Sequence, residues 1–176
     1  MRPSSTTPLY LWIALTILNA AQSLYFKPLM PPVMAQHFVR SGAPNGWTTP
    51  GSFYQLSWVL ILLLGAVFFL LPKLLYRLPV SVINIPHRSY WLAPDHRARA
   101  LAMMEEQMNW MGVAVAVLQL AAMYLVERAN LNSQRQLDTV AFHVIFIGFI
   151  VYMIGWFVVF LRRFRLPGQS ATPSTS

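Results

Sequence analysis

The chain has 176 residues, of which 56% are hydrophobic and 10% are charged, with a formal net charge of +8. A soluble domain carries about 25% charged residues. The deficit indicates a protein embedded in a bilayer, where a charge in the hydrocarbon centre is costly. The sequence contains no cysteine, which excludes disulfides, thiolate metal sites and cysteine nucleophiles.

Four apolar runs follow one another, each close to the ~20 residues that cross a bilayer as a helix. They cover residues 9–26, 53–76, 110–126 and 140–161. The first run is interpreted as a retained helix, with a cleaved signal peptide as the alternative. We predict an all-α integral membrane protein with four transmembrane helices. Residues 1–166 form a single four-helix membrane domain, and residues 167–176 form a disordered polar tail.

The segments between the runs carry turn and helix signals. Five prolines and the turn dipeptide Asn45-Gly46 mark a loop between the first two runs, and residues 33–39 within it are expected to form a short surface helix. Pro94 suits the first turn of a helix, and that helix is expected to continue unbroken into the third run. Residues 127–138 are predicted to be the loop before the fourth run, so that no acidic residue lies inside a span.

The basic residues are distributed unevenly between the two sides of the membrane. Nine of the 13 Lys and Arg residues fall on the side of the termini and the central loop, and four on the other side. The positive-inside rule therefore predicts that both termini are cytoplasmic. The basic excess also attracts anionic lipid, and nucleic acid is not expected as a partner.

Several polar residues within the spans form a candidate polar seam. They are Asn19, Gln22, Gln119 and His143. Polar groups in hydrocarbon need partners, so we expect these side chains to face inward and to form hydrogen bonds across helices. A substrate or proton path would use the same residues.

The central loop supplies candidate residues for binding a partner or lipid. They are Asn84, Pro86, Arg88, Tyr90, Trp91, Pro94 and Arg97. The prolines disfavour helix in the residues before them, so residues 84–93 are expected to be ordered and non-helical. The adjacent aromatic rings suit the headgroup region. A well-anchored connector is the alternative to a docking site.

The loop between the first two spans supplies a candidate outer-loop site. Its residues are His37, Asn45, Gly46 and Trp47. Met30, Met34 and His37 recur at helical spacing and would suit Cu(I), although an amphipathic interfacial helix explains the same pattern. No glycine-rich phosphate loop and no nucleophile with a base and orienter is evident. We therefore expect a protein without catalytic residues, cofactor or metal.

Two segments together resemble a known family. Residues 30–38 and 42–47 resemble a P-x-V-x-x-x-H-F…G-x-P-x-G-W pattern, and residues 84–97 resemble an N-x-P-x-x-x-Y-W-L-x-P-E-R-R pattern. Both patterns are similar to those of the bacterial domain-of-unknown-function family 1648, a domain also found in Sdp-type toxin-immunity membrane proteins. His87 departs from an expected Asn, and Asp95-His96 depart from Glu-Arg.

The resemblance implies a small multipass protein of the bacterial inner membrane and brings no established catalytic residues. The immunity role belongs to relatives with a further membrane domain, which this sequence does not contain. The expected function is non-enzymatic binding or sensing of a partner protein, a peptide or lipid through the two inter-helix loops. A second copy of the chain is a possible protein partner. The alternative is a small transporter or permease component that uses the polar seam.

Overall fold

A computed structural model describes residues 6–167 of the chain. Within them, four helices are long and apolar enough to cross a membrane. The spans are Thr7–Leu29, Pro50–Leu74, Pro94–Leu131 and Thr139–Arg163. The chain is therefore an all-α membrane protein with four spans, as the apolar runs predict. The predicted polar tail lies outside the described residues except for its first residue, Pro167.

Side chains cap the starts of two of the four long helices, those that begin at Pro50 and Thr139. Helix α1 is Thr7–Phe26, and α2 is Pro50–Gly65, continued by a π-helical turn at Ala66–Leu70 and by α3 at Leu71–Leu74. The Thr49 hydroxyl caps α2 by accepting a hydrogen bond from Ser52 N at 3.2 Å. A single turn, α4, at Arg88–Trp91 precedes α5 at Pro94–Leu131 and α6 at Thr139–Arg163.

The longest helix is continuous, which confirms the predicted unbroken passage from the polar stretch after Pro94 into the third span. It has 38 residues, so it is about 57 Å long and exceeds the ~30 Å hydrocarbon core. It contacts α1, α2 and α6. Helix α6, in contrast, contains no buried residue. Its apolar side chains therefore face the surroundings, as lipid-facing residues do.

The loop between α1 and α2 folds as an antiparallel β-hairpin. Strand β1 is Met34–Phe38 and β2 is Pro44–Thr48. The prediction of a short helix over residues 33–39 is therefore wrong, because the segment finds a second strand with which to pair its backbone. The prediction of a turn at Asn45-Gly46 is also wrong, because Gly46 pairs with His37 within the hairpin. The chain instead reverses near Gly42, whose φ is +86°.

The four spans alternate in direction, so the molecule has two distinct ends. We call the side of the β-hairpin and of residues 132–138 the hairpin end. The opposite end consists of residues 75–93 and 164–167. There a buried cluster packs residues of the central loop against the start of α5 and against Phe164: Ile83, Ile85, Trp91, Leu92, Ala100 and Leu101.

The contact between α1 and α2 depends on a glycine. A Cβ atom at Gly65 would lie 2.2 Å from Cζ2 of Trp12, a rigid ring that cannot move aside as a flexible chain would. Gly65→Ala should therefore lower the free energy of unfolding by about 1–3 kcal/mol, as overpacking usually does. Thermal unfolding of the purified protein in detergent measures this change.

Gly148→Ala is the matched control, because a Cβ there meets nothing within 4 Å. It should leave stability unchanged or raise it, since alanine favours helix over glycine by about 1 kcal/mol. Equal unfolding temperatures for the two variants would contradict the close approach of Trp12 to Gly65.

Candidate functional site

Polar side chains from three helices meet inside the bundle. Asn19 of α1 is fully buried, and its Oδ1 accepts a hydrogen bond from the Ser57 hydroxyl of α2 at 2.8 Å. Gln119 of α5 donates from Nε2 to the Ser57 carbonyl at 3.0 Å. The two predicted residues are thus joined through Ser57, a residue that the sequence analysis did not single out.

A carboxylate continues this seam toward the hairpin end. Glu127 of α5 is fully buried, and its two oxygens accept hydrogen bonds from Gln22 Nε2 at 2.8 Å and from the Tyr54 hydroxyl at 2.9 Å. The predicted loop over residues 127–138 is therefore wrong for residues 127–131 and correct for residues 132–138, and the prediction that no acidic residue lies inside a span is wrong. Helix α5 continues to Leu131 and carries this acid within it.

The sequence contains a signal for this carboxylate. Gln119, Met123, Glu127 and Asn130 follow one another at intervals of four, four and three residues. Such spacing places them on one face of a helix. Extending the polar face beyond the end of the apolar run would have identified both Glu127 and Asn130 as inward-facing residues.

His143 does not belong to the seam. It is exposed on α6, and its Nδ1 contacts the backbone carbonyl of Thr139 in its own helix. The expectation that His143 bonds across helices is therefore wrong, because its one hydrogen-bond contact among residues 6–167 is with the backbone of its own helix.

Asn130 fixes the β-hairpin to the end of α5. Its Oδ1 accepts from Ala35 N at 2.7 Å, and its Nδ2 donates to Ala35 O at 2.8 Å. One side-chain amide thus pairs with a strand residue as a neighbouring strand would. Because Ala35 is fully buried, leaving these backbone groups unpaired would be costly.

The second loop of the hairpin end supports the hairpin from the other side. Leu137 N donates to Gly42 O at 3.0 Å, and the Gln136 amide donates to Ser41 O at 3.1 Å. Arg135 donates to Val33 O at 3.2 Å, and its guanidinium lies 5.4 Å from the centre of the Trp47 ring.

The predicted outer-loop residues are presented on this rigid support. His37, Asn45 and Trp47 are exposed, with Trp47 at 48%, whereas Gly46 is partly covered by the His37 ring. The copper(I) ligand set is not assembled. Met34 is fully buried and Met30 nearly so, whereas His37 is exposed on the strand.

At the opposite end, Trp91 is a core residue. It is 3% exposed, and its Nε1 donates to Phe164 O at 2.8 Å. The expectation that this ring lies in the headgroup region is therefore wrong. The ring instead joins the central loop to the end of α6. Its neighbour Tyr90 stacks on His96 with ring centres 4.3 Å apart.

The basic residues of the central loop hold the loop itself. Arg88 donates to Val80 O at 2.9 Å, and Arg97 donates to Leu78 O at 2.8 Å. These bonds hold residues 78–80 against α4 and the start of α5, as a connector requires.

The remaining predicted residues of this loop differ in their positions. Asn84 is exposed, Pro86 is partly buried, and Pro94 begins α5. The prediction that residues 84–93 are non-helical is wrong for Arg88–Trp91, which form a single helical turn.

A tyrosine just beyond the second span adds a polar contact at this end. The Tyr76 hydroxyl donates to Glu105 Oε2 at 3.0 Å. Desolvation, followed by this hydrogen bond, raises the pKa of Tyr76 to about 12. Its hydroxyl therefore stays protonated and acts as a donor over the physiological range.

No protein-family model matches the chain, and no curated protein or solved structure matches it.

The Glu127 carboxylate should contribute strongly to stability. Glu127→Leu leaves the Tyr54 hydroxyl without its acceptor and leaves Gln22 Nε2 with only the Leu120 carbonyl at 3.3 Å. The free energy of unfolding should therefore fall by about 1–3 kcal/mol, the cost of an unpaired buried group. Glu127→Gln retains an oxygen acceptor and should cost less. Thermal unfolding in detergent measures both.

Glu105→Leu is the control for this experiment, since the Tyr76–Glu105 bond is exposed. Its effect should stay within about 0.5 kcal/mol, as for most surface substitutions. If Glu127→Leu were as mild as Glu105→Leu, the carboxylate would not be a structural link between the helices.

Proposed function

We propose that the chain is a non-enzymatic multipass membrane protein that binds a protein or peptide partner through its hairpin end. The observation that carries the proposal is the pair Trp47 and Arg135, which are stacked on each other while Trp47 is 48% exposed. Trp and Arg are among the residue types that dominate binding energies at protein interfaces.

The rigidity of this surface supports the proposal. The hairpin is held by Asn130 at Ala35 and by Leu137 at Gly42. A recognition surface that is already ordered loses less conformational entropy when a partner binds. At the opposite end, the guanidinium groups of Arg88 and Arg97 are engaged with backbone carbonyls, which favours the connector interpretation of that loop.

We further propose that both termini are cytoplasmic, that the hairpin end faces outward, and that the membrane is the bacterial inner membrane. The uneven distribution of basic residues supports the orientation. The resemblance of residues 30–47 and 84–97 to the domain-of-unknown-function family 1648 supports the membrane of origin.

A transporter or permease component is the second candidate, and the Glu127 observation favours it. Tyr54 bonds to this carboxylate and also lines an open groove of about 600 Å³ between α1 and α2, together with Ser23 and Lys27. Buried ionisable groups within spans commonly mark ion or substrate pathways. Loss of solute uptake in Glu127→Gln with normal folding and normal partner binding would favour this candidate.

Two tryptophan variants separate recognition from folding. Trp47→Ala should leave abundance and unfolding temperature unchanged and abolish co-purification of the partner from native membranes. Trp91→Ala removes a buried ring and should lower the free energy of unfolding by about 3–5 kcal/mol. Retention of every partner by a normally folded Trp47→Ala variant would refute the proposed recognition surface.

Cysteine labelling tests the orientation, because the sequence has no cysteine to give background. Ser41, Ser133 and Ser89 are all exposed. Single cysteines at Ser41 and Ser133 should react with a membrane-impermeant thiol reagent added to intact cells. A cysteine at Ser89 should react only after the membrane is permeabilised. The reverse pattern would invert the proposed topology.

A further inference from the structure

A separate pocket lies beneath the β-hairpin, between β1, α5 and α6. Its volume is about 340 Å³. His37 from β1 and His143 from α6, which lie 106 positions apart in sequence, both line it, and Arg40 at the hairpin turn adds a third basic side chain. We call it the subhairpin pocket.

The polar side chains that line the subhairpin pocket are suited to binding an anion. Among residues 6–167, no Asp or Glu lines it. The nearest acid in sequence, Asp138, uses its Oδ1 to accept a hydrogen bond from Ala141 N at 2.9 Å. Within the same described residues, neither Arg40 nor His37 has a side-chain hydrogen bond or ion pair. Arg is well suited to phosphate because its planar guanidinium donates two parallel hydrogen bonds.

The apolar side chains that line the pocket are suited to contact the hydrocarbon chain of a ligand. Ala122 and Val126 from α5 and Phe142 from α6 form the other wall of the pocket. Ala122 lies nine residues before the end of α5 at Leu131, which is about 13 Å deeper along the helix. The pocket therefore changes from basic at the hairpin to apolar toward the centre of the bundle, as a lipid changes from headgroup to chain.

A second cavity extends this apolar wall. Leu118, one helical turn below Ala122, lines a groove of about 400 Å³ between α5 and α6, together with Ile145 and Gly148. A Cβ atom at Gly148 would meet nothing within 4 Å. The groove thus has open space where the chain of a ligand bound in the subhairpin pocket would descend.

We propose that the subhairpin pocket binds the phosphate headgroup of an anionic phospholipid, whose acyl chain lies in the groove between α5 and α6. Arg40 and the histidine rings face the phosphate, and the apolar wall faces the chain. This site is distinct from the exposed surface of Trp47 and Arg135, so lipid binding and partner binding can fail independently.

The experiment measures lipid binding to the full-length protein in detergent by native mass spectrometry. The probes are dioleoyl phosphatidylglycerol, dioleoyl phosphatidylcholine and inorganic phosphate. The anionic lipid should bind most tightly. Arg40→Gln should weaken that binding about fivefold, which corresponds to the ~1 kcal/mol of one basic residue near an anionic lipid. Arg128→Gln is the matched control: Arg128 lies at the same end but does not line the pocket, so its removal should have no such effect.

Gly148→Leu identifies the source of the phosphate. It fills the groove between α5 and α6 and should weaken binding of phosphatidylglycerol without changing the unfolding temperature. Inorganic phosphate binding as tightly as the lipid, with no effect of Gly148→Leu, would overturn the lipid assignment in favour of a soluble anion. Equal losses in Arg40→Gln and Arg128→Gln would overturn the site. If the Arg40→Gln variant does not fold, the binding of phosphatidylglycerol is measured with His37→Gln, which changes another basic residue of the same pocket.

Discussion

The buried carboxylate of Glu127 is the interaction on which the arrangement of the helices depends. A carboxylate removed from water is tolerated only when charges or hydrogen-bond donors surround it. Here Gln22 of α1 and Tyr54 of α2 supply the donors, so one group of α5 connects three spans. The next inward-facing residue of α5, Asn130, then holds the hairpin. The same face of a single helix therefore determines both the packing of the bundle and the position of the β-hairpin.

Helix α6 is attached differently, and this difference explains where the cavities lie. It contains no buried residue among those described. Three contacts hold it to α5: Tyr152 to Trp110 O at 3.1 Å, Trp156 to Gln107 O at 2.9 Å, and an ion pair of Arg163 with Glu106 at 2.7 Å. Helix α6 begins at the hairpin end with Thr139, so all three contacts lie in the half of α6 that is farther from the hairpin. The two helices are thus joined at one end, and the groove between them starts at the Tyr152–Trp110 contact and extends toward the hairpin.

The sequence predicted the spans because membrane helices depend on local composition. About 20 consecutive apolar residues are enough to indicate a span, and the four spanning helices lie where the four apolar runs are. It did not predict β1, because a strand depends on a partner elsewhere in the chain, and residues 33–39 have a pattern that also suits a helix. Trp91 was misassigned for a related reason. An aromatic ring beside prolines and arginines suits a headgroup region, and only the position of Phe164 reveals its burial.

The polar seam shows the same limit at a finer scale. Asn19, Gln22 and Gln119 could be identified because each interrupts an apolar run. Glu127 was missed because it follows the last apolar residue of its run, where a loop and a final helical turn have the same composition. His143 was assigned to the seam because its depth in the membrane is visible in the sequence, whereas the direction in which α6 faces is not.

The two ends of the molecule use their basic residues for different purposes. At the opposite end, Arg88 and Arg97 donate to backbone carbonyls, so these two basic residues help to fold the central loop. At the hairpin end, fewer basic residues are present, yet Arg40 has no polar partner among the described residues and lines a pocket without acids. The distribution of Lys and Arg between the two ends supports the proposed orientation in the membrane. The proposed lipid site is supported instead by Arg40, a basic group that is unpaired among residues 6–167 and that lines a pocket with an apolar wall.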